Sequence, residues 1–279
     1  MSSILTNSSA MVALATLNNV NMKLNETQNR VSTGLQISSG KDNAAYFAIS
    51  ETMKGDSGMF NSINDGLTST KNSIATARLG AETVADLAQQ FTDRVAFAQG
   101  SGVNLTDVQA ELDSLVSQIG LAISQSTFNG EDLVSGAAAT VTVVSGVSRT
   151  GGTFAATTLS FSSVNLGAIQ TALDAVDVVT AGATSQAALQ ATLVTAEGQL
   201  SAAIDAATSL GVSEKTVEGQ QTFLGALTDT IDSGVSSMVD ADMEAEAARL
   251  QALQVQQQLA TQSLSMANQS PQNIMSLFR

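Results

Sequence analysis

The sequence predicts a mainly α protein: a long antiparallel helical rod with paired terminal coiled-coil helices and a small β-hairpin insertion. Three observations predict it. Apolar residues recur in alternating three- and four-residue steps over most of the chain. One central stretch, "ATVTVVSGVSRTGGTFAATTLSFSSV", alternates β-branched and aromatic residues around a turn signal. Both ends carry the helical period without charge: residues 1–22 and 251–278 hold no Asp, Glu, Lys or Arg in a chain of formal net charge -14.

The first element follows from the seven-residue step of Leu14, Leu17, Asn21, Leu24, Gln28, Val31 and Leu35. Gly40 fits the position after a helix end, and Asp42 or Asn43 caps the helix opened by Ala44 and Ala45. Lys41 lies beside Gly40 without the glycine spacing of a phosphate loop. Next, Phe60, Ile63, Leu67, Thr70, Ile74, Ala77, Ala81, Val84, Ala88, Phe91 and Val95 keep the step unbroken. One helix of about 40 residues would span roughly 60 Å.

After "QGSGVN", Leu105, Val108, Leu112, Leu115, Ile119 and Ala122 predict an antiparallel neighbour, closed by "STFNG" with a helix end at Asn129 and Gly130 and Phe128 as a buried anchor. The hairpin turns at Arg149, Thr150, Gly151 and Gly152; "NLGAIQTALDAV" and "TAGATSQAAL" read as short helical or loop connections. Leu189 to Met238 supplies a third partner through Leu193, Ala196, Leu200, Ala203, Ala207 and Leu210. The last helix is capped by Asp240, with Asp242, Glu244 and Glu246 favouring its positive end. Its seam runs Met243, Glu246, Leu250, Leu253, Gln257, Ala260, Leu264, Ala267 and on to Ile274. The expected layout is nested: terminal helices at 1–42 plus 239–279, a rod at 43–136 plus 189–238, and a surface insertion at 137–188.

Composition excludes several function classes. With no Cys, no His, no Trp and one Tyr (Tyr46), the usual nucleophiles, imidazole bases and soft metal ligands are missing. No catalytic, cofactor-binding or metal residue is therefore expected, and the carboxylates of "DADMEAEAAR" alternate between helix faces instead of converging on an ion. A balance of 25 acidic to 11 basic residues argues against nucleic acid. The start lacks the basic and apolar blocks of a secretory signal peptide, no window holds 18 apolar residues in a row, and the glutamines of 251–272 would be costly in hydrocarbon, so no membrane insertion is expected.

What remains is assembly. Heptad helices without charge are built to be buried on every side, and many copies can do that where one chain cannot. In a helical polymer a buried ion is incurred once per copy, whereas glutamine keeps hydrogen bonding without that penalty. The expected self-assembly residues are Leu14, Leu17, Leu24, Val31, Leu35, Leu250, Leu253, Gln257, Leu264, Ile274, Leu277 and Phe278. Gln257 is expected against a neighbouring copy, so Gln257→Lys should block polymerisation while Gln220→Lys is mild. Replacing residues 141–162 should leave polymers intact, and proteolysis of the free chain should trim to roughly residues 45–235, because short terminal helices are unstable without neighbours.

Several ordered motifs resemble the bacterial flagellins. "ILTN" (4–7), "RVSTGLQI" (30–37) and "KDNAAYFAIS" (41–50) resemble the family's opening, "TFNG" (127–130) the entry to its variable region, and "DADMEAE" (240–246) with "ANQSPQNIMSLF" (267–278) its close. The resemblance implies a homopolymer, the extracellular flagellar filament for swimming motility, whose paired termini line a narrow channel. It further implies export through the flagellar type III apparatus, an export chaperone, and hook-associated and cap proteins as partners. A hook-filament junction protein of the same export system is the nearest rival, and a helical enzyme or adhesin with a ligand-binding tip a more distant one. Two departures stand out: Tyr46 and Phe47 replace a common Gly-Leu pair, and "DLAQQFTD" (86–93) lacks the arginine pair of the "LQRVREL"-like stretch in members sensed by the vertebrate innate receptor.

Overall fold

The structure is a computed structural model that describes residues 7–150 and 153–277, without the side chains of 149, 150, 153, 154 and 270–277. Its elements are α1 (Ser8–Thr33), α2 (Ala44–Ala98), α3 (Leu105–Gln125), β1 (Thr140–Thr150), β2 (Thr153–Ser162), α4 (Leu166–Asp174), α5 (Val178–Thr184), α6 (Gln186–Val239) and α7 (Met243–Leu277). The chain is mainly α with one antiparallel hairpin, as its periods predict. Contacts divide it into a terminal unit, Met1–Ser57 with Asp229–Arg279, and a larger unit, Gly58–Thr228.

The larger unit is built on the seven-residue step. Phe60, Leu67, Ile74, Ala81, Ala88 and Val95 of α2 are buried, with Ala77, Val84, Phe91 and Ala98 between them. On α6 the buried set is Leu189, Ala196, Ala203, Leu210, Val217 and Leu224, spaced by seven throughout. Polar contacts at the edges fix an antiparallel register: Gln221 Nε2 donates to Thr68 Oγ1 (2.7 Å), Lys71 pairs with Glu218 (3.2 Å), Arg78 with Glu214 (2.7 Å), and Gln99 Nε2 donates to the Leu189 carbonyl (2.8 Å). Ion pairs at such exposed edges contribute little energy, but they report alignment.

α3 also runs antiparallel to α2, with Arg94 paired to Glu111 (3.1 Å) and Gly80 packed against Ser126. Its buried face is Val108, Leu112, Val116, Ile119 and Ile123, whereas the expected Leu115 and Ala122 are half-buried. The stripe is displaced because α3 is covered by more than α2. The two connections left open by sequence are helices α4 and α5; Leu166, Ile169, Leu173 and Val178 are buried, and Gln109 donates to the Val176 carbonyl and accepts from the Val178 N–H.

Helix ends depart from expectation in local ways. α1 stops at Gly34, which adopts φ 73 and donates to the Arg30 carbonyl, so this residue and not Gly40 provides the left-handed cap. Asn43 Oδ1 accepts from the N–H groups of Ala45 and Tyr46 and caps α2, while Asp42 takes Ser38 and Ser39. α2 therefore begins at Ala44 and reaches 55 residues, longer than the apolar count suggested. α3 ends at Gln125, before the expected Asn129 and Gly130. Those two residues, with φ 50 and 82, instead form a tight turn in which Phe128 and Glu131 exchange backbone hydrogen bonds, and Phe128 is half-buried. α7 is capped by Asp242, whose Oδ1 accepts from Glu244 and Ala245 N–H; Asp240, the expected cap, forms a backbone bridge with Leu35.

β1 and β2 pair from Thr140↔Ser162 to Thr150↔Thr153, with a bulge between Val144 and Gly146. Gly151 and Gly152, the expected turn, lie outside the described residues. The hairpin rests on α6: Gln220 Nε2 donates to the Ser145 carbonyl (2.8 Å), and Phe161 is buried.

Candidate assembly surface

α1 and α7 of the terminal unit pair antiparallel. Asn7 Nδ2 donates to the Ala267 carbonyl (2.7 Å), Gln257 Nε2 to Asn21 Oδ1 (2.7 Å), and Arg30 Nη1 to Glu246 Oε1 (3.3 Å). Ala241 N–H donates to the Gly34 carbonyl, and Gln36 N–H to that of Val239, closing the end of the pair. Val20, Leu24 and Leu253 form its small buried cluster, with Leu250 packed against it.

As far as Ala267 the predicted seam of α7 holds: Glu246, Leu253 and Ala260 are buried, Leu250, Gln257, Leu264 and Ala267 half-buried, and Met243 is 44% exposed. On α1 half of it shifts by one residue. Leu17, Leu24 and Val31 face inward as expected, but Val20 and Thr27 are buried in place of Asn21 and Gln28. The shift removes two amides from the most desolvated positions, where each would need a partner. Asn21, half-buried beside them, finds its partner in Gln257. Leu14 consequently turns outward, 48% exposed. Leu35 lies past the helix end, half-buried in its bridge with Asp240. The side chains of Ile274, Leu277 and Phe278 lie outside the described residues.

A second apolar set, outside the predicted seams, occupies the other faces. Met11, Met22, Val255, Leu259 and Met266 are each more than half exposed. At about 100° per residue, Met11 and Met22 lie within roughly 20° of each other and opposite Val20. Val255, Leu259 and Met266 lie within roughly 40° of one another and about 100–160° from Leu253 and Ala260. Each terminal helix is therefore apolar on two faces, and its own chain covers one. The signal was readable as the eleven-residue spacings Met11 to Met22 and Val255 to Met266.

The acids near the start of α7 do not converge. Asp242 caps, Asp240 bridges through its backbone, Glu244 is exposed, and buried Glu246 accepts from Arg30 and Arg249 (3.1 Å) on one oxygen. Among the described residues no three His, Cys, Asp or Glu side chains are placed to hold a metal, and no helix is long and apolar enough to cross a membrane. In the larger unit, the shallow cleft between α2 and α6 around Arg78 is filled by its own charges: Glu214 and Glu82 hold the guanidinium and raise its pKa.

Residues 4–139 match the profile of the bacterial flagellin N-terminal helical region, and residues 193–278 that of the bacterial flagellin C-terminal helical region. Over its full length the chain is 37% identical to a flagellin of Brucella melitensis biotype 1, all of which it covers, and 34% identical to flagellin FljM of Caulobacter vibrioides, of which it covers 99%. It is 32% identical to flagellin C of Rhizobium meliloti over the whole of both chains. Among solved structures, a putative flagellar hook-associated protein from Vibrio parahaemolyticus aligns with a TM-score of 0.52 at 14% identity, over 72% of this chain and 99% of that one, a likeness of fold.

Proposed function

This chain belongs to the bacterial flagellin family and is a structural subunit of the flagellar filament, and we propose that it polymerises by burying the outward stripes of α1 and α7 against the terminal helices of neighbouring copies. The observation that carries this is the second, exposed apolar face on each terminal helix, apart from the face that packs within the chain. From Met11 to Met22 and from Val255 to Met266 there is no charged side chain, so closing those stretches against another copy leaves no ion of their own to desolvate.

On this reading residues 1–42 with 239–279 form the inner core of the filament, 43–136 with 189–238 the layer around it, and 137–188 the surface. Leu14 joins the contact surface between copies, while Leu17, Leu24, Val31, Leu250, Leu253, Gln257 and Leu264 act indirectly, by holding α1 to α7. The subunit reaches the outside of the cell through the flagellar export apparatus, with an export chaperone, and meets hook-associated and cap proteins at the ends of the polymer. Its role is structural, with no catalytic step assigned to any residue.

The test is the double variant Val255→Asp and Leu259→Asp. Both positions are exposed in the single chain, so its thermal melting should be unchanged while sedimenting polymer is lost. Polymer at wild-type yield at low salt would overturn the assignment of this stripe.

A further inference from the structure

Four exposed methionines lie on the terminal helices: Met11, Met22 and Met266 on the outward stripes, and Met243 at the start of α7 on its seam; Met53, Met59 and Met238 are half-buried. The chain has no Cys, Trp or His and one Tyr, so thioether sulfur is its most readily oxidised group. We propose that these four exposed methionines are a reversible oxidation site, at which a peroxide blocks the free subunit from polymerising and assembly itself confers protection. The proposal rests on the stripe being the contact between copies.

The chemistry is a two-electron oxygen transfer. The sulfur lone pair attacks one peroxide oxygen, the S–O bond forms as the O–O bond breaks, and the remaining oxygen leaves as water after proton transfer. The apolar thioether becomes a polar, strongly accepting sulfoxide. On a surface that closes through apolar contacts, that polar oxygen must be desolvated in every copy. Reduction by a methionine sulfoxide reductase with a dithiol returns the thioether, releases the oxygen as water and leaves the dithiol as a disulfide. The chain offers no cysteine to interfere.

The experiment treats free subunit and preformed filament with hydrogen peroxide, maps sulfoxides by peptide mass spectrometry, and measures the critical concentration for polymerisation by sedimentation. Oxidation of the free subunit should raise that concentration by about tenfold or more, and reductase treatment should restore it. In the filament the same four residues should oxidise far more slowly. The variant Met11→Leu, Met22→Leu, Met243→Leu, Met266→Leu conserves volume and should polymerise equally well before and after peroxide. Unchanged polymerisation of fully oxidised wild-type subunit would overturn the proposal, as would equal peroxide sensitivity of the leucine variant. Untreated Val255→Asp, Leu259→Asp subunit separates the two ideas: if it polymerises, the stripe is not the contact. If it fails while oxidised subunit succeeds, only the oxidation site is lost.

Discussion

Gln257 shows how a single partner changes a forecast. On the seam of a charge-free stretch it reads as a contact between copies, but its amide donates to Asn21 of its own chain. A lysine there can donate to the same oxygen and extend its ammonium toward solvent. Gln257→Lys should therefore weaken polymerisation less than Leu259→Asp does, as sedimentation of the two variants side by side would show. Gln220 holds the hairpin carbonyl of Ser145, so Gln220→Lys is no neutral control. Acid sensitivity is also set residue by residue. Asp177 is held below the usual carboxylate value of 3.8 by the Thr180 hydroxyl and N–H; Asp132 is pushed up by burial but more than compensated by hydrogen bonds from Ser135 and Val134. A carboxylate with a depressed folded pKa stabilises the fold above its unfolded value and ceases to as pH falls through its folded one. The melting temperature of the larger unit should hold from neutrality to about pH 4 and fall below it. Asp177→Asn should be less stable than wild type at pH 7 and approach it near pH 3, as circular dichroism melts would report. Such caps were legible by residue type, but which of two neighbouring acids caps depends on backbone geometry that spacing does not encode, as Asp240 and Asp242 show.

Elements were legible where one period governs them. The buried positions of α2 and α7 match their sequence seams because each packs one stripe against antiparallel partners. α3 and α1 were not fully so, since α4 and α5 widen the face of one and polar residues compete for the seam of the other. Two helical glycines predict opposite outcomes. A methyl group at Gly80 would lie 2.5 Å from Ser126 Cβ, so Gly80→Ala should destabilise the larger unit by about 1–3 kcal/mol. At Gly211 it would meet only Arg78 Cδ, at 3.5 Å, and Gly211→Ala should stabilise by about 0.5–1 kcal/mol. Denaturant titration of both variants checks the signs. Replacing residues 141–162 is less innocuous than their surface position suggested, because it uncovers α6 near Leu224 and removes buried Phe161. The loss should be about 1.5–3 kcal/mol for that ring, with polymers still forming in the cold.

For the whole molecule, the terminal unit has a sparse core: among the described residues, Val20, Leu24, Leu253 and Ala260 are the buried apolar side chains of two helices of 26 and 35 residues. Helices draw most of their stability from tertiary packing, so α1 and α7 in the free subunit should be cleaved first. A resistant fragment should begin near Gly58 and end near Thr228, somewhat inside the limits expected from sequence; protection of Leu14 in dilute protein would contradict this. Family and assembly were legible from the ordered terminal motifs and missing charge, but the division of apolar residues between chain and neighbour was not, because periodicity marks stripes without saying what fills them. The unbroken seven-residue spacing from Leu189 to Leu224 has a mechanical corollary. A straight α-helix drifts about 20° per seven residues, so keeping those side chains on α2 winds the two helices around each other left-handed. A wound pair has a hand, so torque of one sense tightens it and torque of the other slackens it.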